Sequence, residues 1–178
     1  MQAKMIAGHE LTPGKTVKDH IHVEGTELHV PHVLLCGEQP GPTVLITAGI
    51  HNAEYVGIQA AIELSNELDV STLRGNVVFV PLVNRSGFEN RTMSRVFEDG
   101  KNLNRVFPGN REGSEAERLA HMLFEVFIRN ADAYIDLHCG DGYETLIPYC
   151  YYLGDAPAEE TAKRMVAVSY THLTLPTT

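Results

Sequence analysis

The sequence lacks what a nucleic acid, a membrane or a thiolate metal would need. Lysine and arginine total 14 against 23 aspartates and glutamates, a formal net charge of -9 over 178 residues. No basic surface is therefore on offer to a polyanion or an anionic bilayer. The three cysteines, Cys36, Cys139 and Cys150, are odd in number and show no Cys-x-x-Cys spacing. That excludes a disulfide framework and a thiolate zinc site, and it points to a reducing, cytoplasmic setting. No apolar stretch approaches the roughly 20 residues that a bilayer span requires. What is present is 43% hydrophobic and 21% charged, the composition of one globular domain with a sizeable core. The expected partners are small molecules, with no nucleic acid and no membrane among them.

Short β-type segments at 16–17, 21–23 and 28–36 predict antiparallel strands at the start of a sheet. Residues 37–42, rich in glycine and proline, read as a turn. The apolar run 43–48 predicts a buried strand, and 54–69 a helix whose Val56, Ala60, Leu64 and Leu68, widened by Ala61 and Ile62, face the sheet. Residues 76–83 are nearly all apolar, as in a parallel strand covered on both faces, with Pro81 marking where its pairing stops. Ser114-Glu115-Ala116-Glu117 is a capping box, and Ala116, Leu119, Leu123 and Phe127 follow on one face of its helix. A strand at 133–138 comes next. This order predicts an α/β fold with a mixed, mainly parallel sheet flanked by helices and joined by right-handed crossovers.

Residues 145–153 are again β-type, and Asp155 with Pro157 signals a last helix carrying Ala158, Ala162, Met165 and Val166 on one side. Residues 169–178 have no charge and no helical period and end in a threonine and proline cluster. They are expected to be a non-native tail. On that reading residues 1–168 are the N-terminal part of one catalytic domain, incomplete at its C-terminus.

The chemistry concentrates at Gly49-Ile50-His51-Asn52-Ala53-Glu54, where a buried strand hands over to a helix and α/β proteins build their sites. With a helix starting at or just after His51, His51 and Glu54 share one face and are close enough to share a metal ion. His138, at the end of the strand 133–137, emerges at the same carboxyl edge and supplies a third ligand. Two imidazoles and one carboxylate match a catalytic zinc site with a position left open for water, and such a centre serves hydrolysis.

Residues 84–113 show neither helical nor strand periodicity, yet hold five of the nine arginines: Arg85, Arg91, Arg95, Arg105 and Arg111. The loop reads either as an anion site built from guanidinium forks or as a solvated surface. His20 with His22, or His29 with His32, could pair on a metal. No carboxylate accompanies them, and they read as partly exposed strand residues. His121 reads as a surface or packing residue, Cys139 as a small half-buried thiol, and Ser114 as a cap. Asp136, on the same side of its strand as His138, is either a hydrogen-bond partner of that ligand or a structural acceptor.

The glycine-to-glutamate motif at 49–54, then Asn102-Leu103-Asn104-Arg105-Val106-Phe107-Pro108-Gly109, then Asp136-Leu137-His138, resembles the succinylglutamate desuccinylase and aspartoacylase family, a branch of the zinc carboxypeptidase superfamily. The resemblance implies a zinc-carboxypeptidase-like fold and one Zn2+ per chain, held by His51, Glu54 and His138. It implies that Asn104 and Arg105 grip the carboxylate of an N-acyl amino acid or similar substrate. Arg95, with Arg91 as its rival, would bind the substrate and stabilise the oxyanion. The activity implied is zinc-dependent deacylation, the cleavage of an amide or an ester. Two departures stand out. Asn102 occupies the place where carboxypeptidases carry an aspartate that orients a zinc-bound histidine. The family's general-base glutamate would fall beyond residue 178, and Glu144, Glu159 and Glu160 do not match its context, so this chain is expected to bind metal better than it catalyses. The rival readings are a zinc carboxypeptidase acting on peptides and a noncatalytic metal- or anion-binding module.

Overall fold

A mixed sheet positions everything else. The computed structural model describes residues 4–152 and 158–172. A small ribbon, β1 (Met5–Ile6) with β2 (His9–Glu10), precedes β3 (Thr16–His22), β4 (His29–Cys36) and β5 (Gln39–Ala48). Helix α1 (Tyr55–Glu67), β6 (Arg74–Val80), α2 (Arg85–Asn90), α3 (Glu115–Met122) and β7 (Ala133–Leu137) follow. The five long strands lie in the order β3-β4-β6-β5-β7. β3, β4 and β6 pair antiparallel, while β6, β5 and β7 run parallel.

β5 lies between β6 and β7, so the chain leaves it toward one neighbour and later returns to the other side. Helices α1 and α3 accordingly cover opposite faces. Leu34, Leu45, Val78 and Val80 pack with Ala116, Leu119, Leu123 and Phe127 on one face. Val33, Leu35, Ile46 and Phe79 pack with Ile58 and Ala61 on the other. Such a switch leaves a crevice beyond the carboxyl ends of the central parallel strands. The predicted capping box is present: Glu117 accepts from the Ser114 backbone N–H at 2.9 Å and from its hydroxyl at 3.0 Å. The helix then widens into a π-type turn at Leu123–Phe127.

Several expectations are corrected. The stripe Val56, Ala60 and Leu64 does not face the sheet; Val56 is 72% exposed. Gly57, Ile58, Ala61 and Ser65 are the buried positions. Gly57 lets the helix pack closely on β7, since a Cβ there would lie 3.1 Å from the Leu137 carbonyl oxygen. Helical phase was read from apolar spacing alone, whereas close packing selected the smaller residues. The turn expected over residues 37–42 is shorter: only Gly37 and Glu38 separate β4 from β5, which begins at Gln39 and shifts register between Gln39 and Thr43. Proline tolerates such an irregular strand start because no ladder donor is demanded of it there. The 84–113 segment contains α2, a short polar helix with too few apolar positions to show a period. Residues 145–152 form no strand and take part in no β-bridge among the described residues. Their β propensity has no ladder to satisfy it.

Residues 145–178 form a second compact unit, in which α4 (Ala158–His172) is the described element. Asp155, Pro157 and positions 173–178 of the proposed tail lie outside the described residues. No helix among the described residues is long and apolar enough to cross a membrane.

One buried group makes the core sensitive to acid. His32 on β4 is 2% exposed, and neither ring nitrogen has a hydrogen-bond partner. Its ring lies 5.6 Å from that of Phe127 and 5.9 Å from that of His9. Asp19, opposite on β3, is engaged by His9 at 2.9 Å. Burial lowers the His32 pKa below 6.5, and the Val30 backbone and the Asp19 charge oppose this without reversing it. As pH falls through 6.5 the unfolded chain takes up a proton that the folded chain refuses, so stability declines toward acid. His32→Phe is expected to flatten the fall in urea-unfolding free energy below pH 6.5. An unchanged slope would assign the acid loss to other groups.

Candidate metal centre

β5 ends at Ala48 and the chain turns at Gly49, whose φ is 69°. A Cβ at Gly49 would come within 2.9 Å of the Leu82 side chain and 3.2 Å of Ile58. Ile50 is buried beneath the turn, and His51 emerges above it. Ala48 on β5 pairs with Leu137 on β7, so the segments that leave these parallel strands start side by side. That register brings the His51 and His138 rings to a centroid separation of 5.2 Å.

Glu54 joins them. Its Oε1 lies 2.8 Å from His51 Nδ1, and its Oε2 lies 2.8 Å from His138 Nδ1. The Cys139 backbone N–H also donates to Oε2, at 3.0 Å. One donor atom from each of the three residues lies within 4.8 Å of the others, the only such group among the described residues. Helical spacing is not what unites His51 with Glu54. Glu54 is the N-cap residue of α1, and a turn in which its N–H donates to the His51 carbonyl brings the side chains together.

The outer ring nitrogens show how the imidazoles are aimed. His51 Nε2 lies 3.2 Å from Asn102 Oδ1, and His138 Nε2 lies 2.7 Å from Asp136 Oδ2. Asn102 Oδ1 also accepts from the Asn104 N–H at 2.9 Å, which identifies that atom as the amide oxygen. Asp136 is held in turn by the Thr47 hydroxyl at 2.6 Å. Glu54 is the acceptor for both Nδ1 atoms here; with each Nε2 donating outward, release of the Nδ1 protons would leave lone pairs facing the common centre, the tautomer that metal ligation requires. The donor set of two imidazoles and one carboxylate therefore fits a divalent ion. Asp136 and Asn102 both act on the histidines, and the amide takes the place of the expected aspartate.

The charges reinforce this geometry. Burial disfavours the Glu54 anion, yet the hydrogen bonds from His138, His51 and the Cys139 N–H hold its pKa down to about 2. Hydrogen bonds to Asp136 and then Glu54 push His138 up to about 10 against its burial.

The arginines are more dispersed. Asn104 and Arg105 lie on the 3-10 turn Leu103–Arg105, which follows directly from Asn102. Arg105 is exposed and donates to the Asn104 carbonyl at 3.0 Å. Arg95 is exposed and donates to the Gly100 carbonyl at 2.8 Å, and its backbone bridges Asn102. Arg91 occupies the left-handed C-cap of α2, with φ 56°. Arg85 and Arg111 are taken by Glu89 and Glu24, each at 2.8 Å. The five loop arginines are thus not one anion site, because the acidic surface captures two of them. Of the histidine pairs, His22 faces His29 across the strands at 4.9 Å, and His32 is turned into the core instead of toward His29. Asn52 and Asn84 were not singled out by sequence, although both are buried near the site. The signal for Asn84 was its place after β6 as a helix N-cap.

Residues 40–175 match the family model described as succinylglutamate desuccinylase/aspartoacylase catalytic domain. The N-alpha-acetyl-L-2,4-diaminobutyric acid deacetylase of Halomonas elongata is 38% identical over 125 residues, covering 68% of this chain and 36% of that protein. An aspartoacylase family protein from Mesorhizobium loti superposes with a TM-score of 0.67 at 33% identity, over 78% of this chain and 45% of its own. The product-bound ectoine utilization protein EutE (DoeB) from Ruegeria pomeroyi superposes at 0.65 with 26% identity, over 74% and 42%. The chain thus spans less than half the length of these relatives.

Glu54→Ala removes the acceptor shared by two imidazoles and one backbone N–H. In the presence of a chelator it is expected to cost about 2–3 kcal/mol in urea unfolding, below the roughly 3–5 kcal/mol of a fully buried pair because His138 is partly exposed. A loss of less than about 0.5 kcal/mol would mean that solvent already satisfies these groups.

Proposed function

The chain belongs to the succinylglutamate desuccinylase/aspartoacylase family, and from that premise we propose that it forms the metal-binding part of a zinc-dependent deacylase. The substrate class is an N-acyl amino acid or a similar small carboxylate, cleaved at its amide bond. The carrying observation is the convergence of His51 Nδ1, His138 Nδ1 and the Glu54 carboxylate with both outer nitrogens engaged. Two nitrogens and an oxygen without a thiolate favour zinc with an open coordination position. A zinc ion there would supply Lewis-acid polarisation of the scissile carbonyl and activation of water.

The protein's own groups have separate tasks. Asp136 and Asn102 keep the imidazoles in the required tautomer. Arg105, with Asn104 beside it, binds the substrate carboxylate through its planar fork. Arg95 turns from the Gly100 carbonyl to the oxygen that gains charge as the amide is attacked. The Halomonas relative is a deacetylase of an N-acetylated amino acid, which supports amide over ester. The free cysteines accord with a cytoplasmic setting.

Three measurements test this reading. The protein should carry one zinc per chain by elemental analysis, and His51→Ala with His138→Ala should abolish it; unchanged stoichiometry would overturn the ligand assignment. The zinc-loaded full-length gene product should hydrolyse N-acyl amino acids in preference to short peptides, and the reverse preference would make it a carboxypeptidase. Arg105→Ala in that protein should lower kcat/KM by about 10- to 100-fold, the value of a lost charge-assisted hydrogen bond.

A further inference from the structure

Two amides next to the metal centre are almost wholly enclosed: Asn84 is 0% exposed and Asn52 is 1%. Buried amides are retained only when their polar groups find partners; both ends of the Asn84 amide and the Asn52 amide oxygen find theirs in one another and in the surrounding loops. Asn84 Nδ2 donates to Asn52 Oδ1 and to the Arg95 carbonyl, each at 3.0 Å. Its Oδ1 accepts from the Gly87 N–H at 3.1 Å, capping α2. The Thr92 hydroxyl reaches the Arg95 carbonyl as well, and Asn52 Oδ1 at 3.5 Å. A Cβ on Gly87 would fall 2.6 Å from the Arg95 carbonyl, 2.6 Å from Asn84 Nδ2 and 2.7 Å from Asn52 Oδ1, so only glycine leaves room for the node.

These bonds close a ring that passes through His51. Asn52 follows His51 in the chain. It is tied to Asn84, which is tied to Arg95; Arg95 bridges Asn102, and Asn102 Oδ1 meets His51 Nε2. A second tie runs from the Ala53 N–H to the Met93 carbonyl at 2.9 Å. Met93 and Arg91 hold positive φ values of 66° and 56°, conformations that persist in non-glycine residues only where the surroundings demand them.

We propose that Asn84 is a positioning residue for His51, fixing the 51–54 loop against the Arg95 segment through this closed ring. The proposal rests on the reading of His51 as a metal ligand. Asn84 touches neither ligand nor substrate; it acts by removing the freedom of the loop to drift from the orientation that Asn102 reads. It also makes the spacing between the metal ligand and Arg95 a property of one buried amide.

Asn84→Ser tests this, since serine retains a capping oxygen for α2 but lacks the amide donors. Backbone hydrogen exchange is read at Ala53 and, as a sheet reference, at Val78, alongside Co2+ titration. The expected result is Ala53 exchange that rises about tenfold or more relative to Val78 and Co2+ affinity that falls about 10- to 100-fold, the usual cost of losing an outer-shell partner. Ser65→Ala, at a buried hydroxyl remote in sequence from this ring, should lower Tm while leaving both readings within about twofold of the parent. Equal exchange changes at Ala53 and Val78 would overturn the proposal. Should Asn84→Ser not fold, Thr92→Val removes one donor from the same node and must shift Ala53 in the same direction. A parent protein that binds no Co2+ would refute the metal reading, while the exchange comparison would still decide whether Asn84 holds the loop.

Discussion

One carboxylate organises this molecule. Glu54 accepts from imidazoles at the ends of two neighbouring strands and from the Cys139 backbone. It is also the N-cap residue of α1, so the direction in which it points constrains the phase of the helix behind it. Ile58, Ala61 and Ser65 follow Glu54 on the same side and are buried with it. Burying an anion is unfavourable unless several donors meet it, and three donors do so here. The outward turn of Val56 and Leu64 is the counterpart of that arrangement.

The sheet makes this convergence possible. β5 has parallel neighbours on both sides, and the helices that follow it and β6 pack on opposite faces. The crevice at its carboxyl end is therefore open to side chains from three segments: the 49–54 turn, the loop after β6 and the exit of β7. Val83 N–H donates to the Ala48 carbonyl and Asn84 N–H to the Gly49 carbonyl, extending the β5–β6 contact beyond the strands proper. Rigid backbone contact continues up to the residues that carry the chemistry, which is how a turn can hold ligands with the precision of a strand.

Much of this was legible from residue types and order. The strands 43–48, 76–83 and 133–138 were visible as short apolar runs, and the capping box at Ser114 marked α3 without ambiguity. His51, Glu54 and His138 could be brought together because a parallel sheet places successive strand ends at one edge. The face of α1 was misread because Val56, Ala60 and Leu64 recur at helical spacing while the true contact face is made of glycine, alanine, serine and one isoleucine. The arginines of 84–113 looked alike in sequence, and only position separated Arg85 and Arg111, held by surface carboxylates, from Arg95 and Arg105. Helix α2 was invisible because six largely polar residues carry no period; it exists because Asn84 caps it and Gly87 lets it pack.

The sequence by itself determined the class of fold and the edge at which the candidate site lies, and it put His51, Glu54 and His138 forward as candidate donors, since all of these follow from periodicity and strand order. It also disclosed Asn102 in place of an aspartate. Only the tertiary structure decided which nitrogen of each histidine faces the centre, because that depends on the acceptors supplied by Asn102 and Asp136 from distant or alternate positions. It alone decided the phase of α1 and the enclosure of Asn52 and Asn84. Hydrogen-bond partners of buried amides are set by three-dimensional proximity between loops, and no local pattern of residues encodes that proximity.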